Sequence, residues 1–200
     1  GLRDPDLLLT LGNFHFATKA FEPARRAYEA ALELDPTSAK AHEKVGKAWY
    51  RLEQPEKARP HLEKALELGS TSESLRFVLA EIEMSEGHPA RARRLLEEIR
   101  ARHPENLRAL AGIGRSYLQE RNLDAAMRIF QEVIRIAPRD PVGYYHLAQV
   151  ERLRDAPAEA EKLWRVCLDL DPRGKYGARA RRWIDSQRAK KRKEAREPER

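Results

Sequence analysis

Residues 107–140 read LRALAGIGRSYLQERNLDAAMRIFQEVIRIAPRD, and this stretch decides the fold. Apolar residues recur three and four positions apart in both of its halves, which predicts two amphipathic helices. Near its end stands Pro138, whose ring lacks an N–H donor and clashes with the preceding turn, so the second helix must stop there. The stretch therefore predicts one helical hairpin.

The same pattern returns along the chain with a period of 34 residues, which is the sequence signature of a helical repeat. The proline series consists of Pro36, Pro104, Pro138 and Pro172, with Ser70 in the vacant slot. A small-residue series in the second helix consists of Ala24, Ala58, Ala92, Ala126 and Ala160. A second small series, in the first helix, consists of Gly12, Gly46, Ala80, Gly114 and Ala148, and a large series consists of Tyr28, Leu62, Leu96, Phe130 and Trp164.

These series have a packing reason. Small residues on both helices of a hairpin let the two backbones approach closely, and the large residue four positions after the alanine fills the space beside them. Other prolines, among them Pro23 and Pro157, fall near the start of the second helix, where a missing N–H donor costs little. Both ends of the hairpin are thus specified by the sequence.

On these residues the chain resembles the tetratricopeptide repeat (TPR) family. The fourth unit carries the resemblance well; its matching residues are Leu110, Ile113, Gly114, Tyr117, Ala126, Phe130 and Pro138. The third unit departs most, with Glu83 where an aromatic residue is usual. The resemblance covers about residues 5–174 and implies an all-α, right-handed superhelix (α-solenoid) of antiparallel helix-turn-helix hairpins. Its five repeats would span 5–38, 39–72, 73–106, 107–140 and 141–174.

The residues after Pro172 do not continue the repeat. A mostly apolar stripe at helical spacing predicts a capping helix over 175–189 that covers the last hairpin. Residues 190–200 carry almost nothing apolar and are expected to form a basic, frayed or disordered tail; its cations include Lys190, Lys191, Arg192 and Lys193.

Charge is distributed unevenly. The net charge is +7, but residues 173–200 alone carry +8, which leaves −1 for residues 1–172. The 41% hydrophobic and 36% charged content suits long solvated helices. No apolar run reaches the roughly 18 residues that a membrane span needs. The compartment stays open: the cytoplasm is slightly favoured, and because the sequence opens with Gly, a periplasmic or envelope location after loss of a signal or anchor is the alternative.

In the TPR family, ligands lie against the first helices, which line a concave groove. Carried over to this sequence, the predicted partner-binding residues are Asn13, Phe16, Lys44, Lys47, Tyr50, Arg51, Phe77, Glu81, Arg108, Arg115, Tyr145, His146, Gln149 and Arg152. This lining is basic, and Phe16, Tyr50, Phe77 and Tyr145 are expected to be exposed in it. It would suit a protein or peptide segment with acidic groups and large apolar anchors.

One family subtype is disfavoured. TPR domains that grip the C-terminal tails of heat-shock chaperones use a clamp of Lys and Asn in three successive first helices. The corresponding residues here are Leu9, Asn13, Lys44, Ser74 and Val78. Only Asn13 matches, so a chaperone-tail partner is not expected.

Catalysis is not expected either. The six histidines include no pair at the three- or four-residue spacing of helical metal ligands, and no glycine-rich phosphate loop or nucleophile elbow is present in the sequence. Cys167 occupies a slot where other units have Ala31 or Ala65, which favours a packed small residue over a nucleophile. No cofactor or metal site is predicted.

The leading interpretation is a protein-interaction scaffold that helps assemble a larger complex, and the Arg- and Ala-rich composition weakly favours a bacterial source. One alternative is association with nucleic acid or an anionic membrane surface through the basic tail. Another is an accessory domain of a multidomain enzyme. Self-association is a further expectation, because an uncapped first hairpin could pair with a second chain through Leu7, Leu8 and Leu11.

Overall fold

In a computed structural model the chain is described from residue 4 to residue 194, with side chains up to residue 190. This range forms eleven helices and contains no strand. In chain order they are α1 (Pro5–Ala17), α2 (Phe21–Leu34), α3 (Ala39–Arg51), α4 (Pro55–Glu67), α5 (Glu73–Ser85), α6 (Pro89–Arg102), α7 (Leu107–Gln119), α8 (Leu123–Ile136), α9 (Pro141–Leu153), α10 (Pro157–Leu170) and α11 (Lys175–Glu194).

The chain divides into two compact units, Gly1–Leu95 and Leu96–Arg200, whose boundary falls within α6. In the first unit α1 packs on α2, α2 on α3, α3 on α4 and α4 on α5. In the second unit α7 packs on α8, α8 on α9, α9 on α10 and α10 on α11. The predicted all-α fold of repeated helical hairpins is confirmed.

Close backbone contact within each hairpin is the packing that the repeat series predicts. A Cβ built on Gly114 would lie 2.5 Å from Phe130 Cε1, and one built on Gly46 would lie 2.6 Å from Leu62 Cγ. All five alanines of the second-helix series are fully buried, and every residue of the large series is buried beside them. At Gly12, Gly46 and Gly114 the small residue of the first helix therefore lies directly under the large residue of the second.

Two further series with the 34-residue period become visible in the structure. Each first helix from α1 to α9 begins after a side chain that accepts a hydrogen bond from a backbone N–H of the first turn; these N-caps are Asp4, Ser38, Ser72, Asn106 and Asp140. Each turn within a hairpin contains a residue with positive φ; these residues are Lys19, Glu53, Gly87, Arg121 and Asp155. A polar N-cap side chain therefore stands at the start of each first helix from α1 to α9. A residue in the left-handed conformation lies in each turn between the two helices of a hairpin.

The departure of the third unit from the family pattern has a local explanation. Glu83 is buried, and one of its carboxylate oxygens accepts a hydrogen bond from the guanidinium of Arg59 in α4. The equivalent arginine one repeat earlier, Arg25, lies 4.6 Å from the ring centroid of Trp49, the aromatic residue in the Glu83 slot. The same arginine slot thus supports an aromatic ring in one repeat and a carboxylate in the next.

Helix α11 packs on α10 through its buried residues Ala180 and Ile184. Asp171 caps its start, since the carboxylate accepts hydrogen bonds from the backbone N–H groups of Tyr176 and Gly177. The rings of Trp164 and Trp183 are 4.0 Å apart. The helix continues to Glu194, past the expected end at residue 189. Within the described range, no helix combines the length and apolarity of a membrane span.

The glycine contact in α7 yields a stability prediction. Gly114→Ala should lower the free energy of unfolding by about 1–3 kcal/mol, because its Cβ overlaps the Phe130 ring in a packed core. Adding Phe130→Leu should relieve that overlap, so the double variant should be less destabilised than the sum of the two single changes. Urea unfolding followed by circular dichroism measures all three; simple additivity would contradict the proposed contact.

Candidate functional site

The predicted partner-binding residues lie on first helices, which adjoin one another within each unit. In the first unit α3 contacts α5, and in the second unit α9 contacts both α7 and α11. A side chain that points between two first helices is therefore covered by the neighbouring helix, whereas one that points away from the second helices faces solvent.

In the first unit, cations of the first helices are engaged with neighbouring side chains. Lys47 Nζ donates to Ser74 Oγ at 2.5 Å and lies 3.5 Å from a carboxylate oxygen of Glu43. Lys40 Nζ lies 3.9 Å from an oxygen of Asp6. These contacts leave a polar surface of mixed charge.

Other predicted residues of the first unit also contact their neighbours. Asn13 Oδ1 accepts a 3.0 Å hydrogen bond from the Tyr28 hydroxyl. The half-buried ring of Phe16 meets Phe21 edge-on at 5.2 Å, and the guanidinium of Arg51 lies over that same Phe21 ring at 4.7 Å. These contacts fix the end of the first hairpin.

The environment of Lys44 disfavours the charged form of its side chain. The pKa of its ammonium is lowered, first by burial and then by the positive charge of Lys47. Tyr50 and Glu81 are half-buried on the neighbouring helices α3 and α5. Lys44, Tyr50 and Glu81 are therefore only partly open to solvent.

The second unit has a cluster of rings on α9 and α11. The imidazole of His146 stacks on Phe130 with ring centroids 5.0 Å apart and meets Tyr145 edge-on at 5.1 Å. Tyr145 in turn lies 5.2 Å from Tyr176 of α11. Gln149 joins the polar edges, because its side-chain oxygen is 2.9 Å from His146 Nδ1 and its amide donates to the Tyr145 hydroxyl at 3.2 Å.

Positive charges act on the buried imidazole of this cluster. The pKa of His146 is lowered to about 4, chiefly because the ring is buried; its contact with Gln149 acts in the opposite direction, and the charges of Arg115, Arg179 and Lys175 lower it further. Lys175 Nζ lies 4.7 Å from the centroid of the Tyr176 ring. Cations of α7 and α11 thus act electrostatically on His146 of α9.

We call this set the basic aromatic face. Its members are Arg115, Tyr145, His146, Lys175, Tyr176 and Arg179.

The expected exposure of two aromatic residues is wrong. Phe77 is 7% exposed and Tyr145 is 9% exposed, and both are buried residues of their helices. Tyr145 is covered because α11 brings Tyr176 against it. Phe16 and Tyr50 are half-buried. These aromatic side chains therefore lie mostly beneath the surface and present little free area to a ligand.

The remaining predicted residues are solvent-facing or fall at the end of the described chain. Arg108 and Arg152 are exposed, as is Lys190. The side chains of Lys191, Arg192 and Lys193 lie outside the described residues.

Sequence reasoning missed the contribution of α11 to this face. The sequence pattern places Lys175, Tyr176 and Arg179 on a capping helix and predicts no part for them in a binding surface. The 34-residue period contains the signal, since Arg179 falls one period after Tyr145. In register, α11 is a sixth first helix, and it brings its own cations to the side of α9.

The side chains of Cys167, His42 and His61 contact other parts of the protein. Cys167 is fully buried, and burial raises the pKa of its thiol to about 12, so the packed-residue interpretation is confirmed. His42 Nδ1 and His61 Nδ1 are 3.2 Å apart between α3 and α4, a contact that their spacing in sequence does not suggest. Among the side chains that the structure describes, no group of three or more His, Cys, Asp or Glu could hold a metal ion.

Comparisons with known proteins agree with this architecture. Two sequence models described as tetratricopeptide repeat match the chain, one over residues 6–73 and the other over 50–113 and 83–150. No curated protein sequence shows a significant match.

Several solved structures are similar. YrrB, described as a TPR protein with an unusual peptide-binding site, is 22% identical with a TM-score of 0.76, and the match covers 90% of this chain and 93% of that one. MamA from Desulfovibrio magneticus RS-1 is 17% identical with a TM-score of 0.78, covering 86% and 97%. PilF from Pseudomonas aeruginosa is 20% identical with a TM-score of 0.70, covering 92% and 85%. At these identities the likeness shows the fold alone.

Buried His146 predicts a pH-dependent stability. Its folded-state pKa lies below the value of the unfolded chain, so the unfolded state binds the proton more readily, and stability is retained above pH 6.5 and lost as the pH falls toward 4. The shift corresponds to about 3 kcal/mol across that window.

His146→Asn should remove this part of the pH dependence, whereas a change at the exposed His103, His103→Gln, should keep it. The measurement is the free energy of unfolding at several pH values from 7.5 to 4. An unchanged slope in the His146 variant would contradict the assignment.

Proposed function

Because the chain belongs to the tetratricopeptide repeat family, we propose that it is a protein-interaction scaffold that binds an acidic segment of a partner protein on its basic aromatic face. The observation that carries the proposal is the ring cluster of Tyr145, His146 and Tyr176, with Lys175 over the Tyr176 ring. The positive charges of Arg115, Lys175 and Arg179 also act on it, since they lower the pKa of His146. A carboxylate placed among three cations forms charge-assisted hydrogen bonds, which are stronger than those between neutral groups.

Helix α11 supplies more cations than acids over its described side chains. Over Lys175–Lys190, α11 has six Lys or Arg and one Asp. Asp171, at the start of α11, is engaged in capping that helix. Helix α11 therefore adds net positive charge beside the ring cluster, which favours the second unit as the anion-binding surface.

The ring cluster prepares the surface for binding. Tyr145, His146 and Tyr176 are held by mutual ring contacts and by Gln149, so little side-chain freedom remains to be lost when a ligand docks. The half-exposed edge of Tyr176 offers apolar area beside the cations. This combination suits a segment in which acidic and large apolar residues are interspersed.

A protein partner is favoured over nucleic acid. Residues 1–172 carry a net charge of −1, so most of the chain offers no net electrostatic attraction to a polyanion. The solved structure of YrrB, with its peptide-binding site, is consistent with a peptide ligand on this fold. Self-association is a separate proposal, because it concerns the outer surface of α1.

The test is fluorescence anisotropy with a labelled peptide in which Asp and Glu alternate with Leu and Phe. The double variant Arg115→Glu/Arg179→Glu should weaken its binding by about ten- to hundredfold, since like charges would then face each other. Binding by the unmodified chain should also weaken as salt rises.

The matched control is Arg128→Glu/Arg135→Glu, which makes the same change in net charge at exposed positions of the second helix α8. It should bind the peptide nearly as well as the unmodified chain. Equal losses in both double variants would contradict a specific site and indicate attraction to overall charge. A peptide with Lys in place of Asp and Glu should not bind either protein.

A further inference from the structure

The outer side of α1 exposes a continuous apolar stripe. Leu7 is 51% exposed, Leu11 39% and Phe14 65%, and their spacing of four and three places them on one side of the helix. Leu8, which sequence reasoning assigned to this surface, is buried in the core of its own unit. Phe14 takes its place on the stripe.

The repeat period shows what kind of surface this is. One repeat later the same slots hold Ala41, Val45 and Ala48, all fully buried and packed in one cluster with residues of the preceding second helix, α2. Two repeats later they hold Leu75, Leu79 and Ile82, which are packed in the same way with α4 residues. These slots are therefore helix-packing slots, and in α1 no described part of the chain covers them.

The charges at the two ends of α1 indicate the occupant. Asp4 and Asp6 stand at its start and Lys19 follows its end, while residues 7–18 contain no Lys, Arg, Asp or Glu. Leu11 lies midway between Asp4 and Thr18 in sequence. An identical helix, running antiparallel and crossing at Leu11, would bring Asp4 of each copy near Lys19 of the other and align opposite helix dipoles.

We propose that this stripe is a self-association surface, on which α1 of a second copy packs antiparallel about a two-fold axis near Leu11. Such an interface is isologous and closes at the dimer. Three large side chains from each copy make a small contact, so the dimer should be weak, with a Kd of roughly micromolar or above. Because the stripe shares no residue with the basic aromatic face, dimerisation and peptide binding can be tested separately.

The experiment is sedimentation equilibrium of the 200-residue chain over a wide concentration range. The unmodified chain should show a monomer–dimer equilibrium, and Leu11→Glu should abolish it, because two carboxylates would face each other at the axis. Since Leu11 is exposed, the fold should survive, which a thermal unfolding curve checks. A strictly monomeric unmodified chain would overturn the proposal, and so would a dimer that persists in Leu11→Glu.

A charge variant tests the antiparallel arrangement. Lys19→Glu should weaken the dimer about tenfold at low salt by placing it near Asp4 of the other copy. Arg121→Glu is the matched control, since Arg121 occupies the equivalent left-handed turn position with a φ of 58° against 62° for Lys19. It should leave the dimer unchanged; equal effects of both changes would overturn the arrangement.

A cross-link locates the axis. With Leu11→Cys, mild oxidation should join two copies rapidly, because a disulfide requires Cα atoms within about 7 Å and the axis brings the two residues together. Cys167 is buried and should not interfere. Leu7→Cys lies away from the axis and should cross-link to itself far more slowly; faster cross-linking at residue 7 than at residue 11 would overturn the placement of the axis.

Discussion

The contact between the glycine of a first helix and a large side chain of the second helix, made by Gly12, Gly46 and Gly114, sets the geometry on which the rest of the structure depends. At Gly46 and Gly114 no Cβ could be accommodated without displacing Leu62 or Phe130. This contact fixes the distance and rotation of the two helices in a hairpin. It therefore also fixes which positions of a first helix face the neighbouring first helices and which face solvent.

Positions that are equivalent in the repeat have the same place on the backbone but carry different side chains. The same hairpin can therefore present different surfaces. Glu43, Tyr145 and Arg179 occupy the same slot in three different first helices. In α3 this residue contacts a lysine of its own helix, in α9 it is part of a ring cluster, and in α11 it is one of the cations whose charge lowers the pKa of His146. Substitution at a fixed slot changes the surface without altering the hairpin.

Much of the fold is predictable from the sequence because its determinants are local and periodic. The 34-residue period identifies the hairpins, and the small and large residues identify which helix sides touch. The candidate surface is less accessible to such reasoning. Burial of Tyr145 depends on Tyr176, which lies beyond the five clear repeats. The helix of Tyr176 is capped by Asp171, because the usual N-cap slot holds Gly174. Likewise the sequence shows Glu83 only as a departure from the repeat pattern, and the hydrogen bond from Arg59 that explains it appears only in the structure.

The stacking of α11 on α10 has a spectroscopic consequence. Of the three tryptophans in the chain, Trp164 and Trp183 have ring centroids only 4.0 Å apart, one indole on each helix, whereas Trp49 lies in the other compact unit. Two indoles at this distance couple their electronic transitions, so the pair gives the last helix an intrinsic near-ultraviolet signal. Detachment of α11 from α10 would change that signal even if the helix content, and with it the far-ultraviolet spectrum, stayed the same.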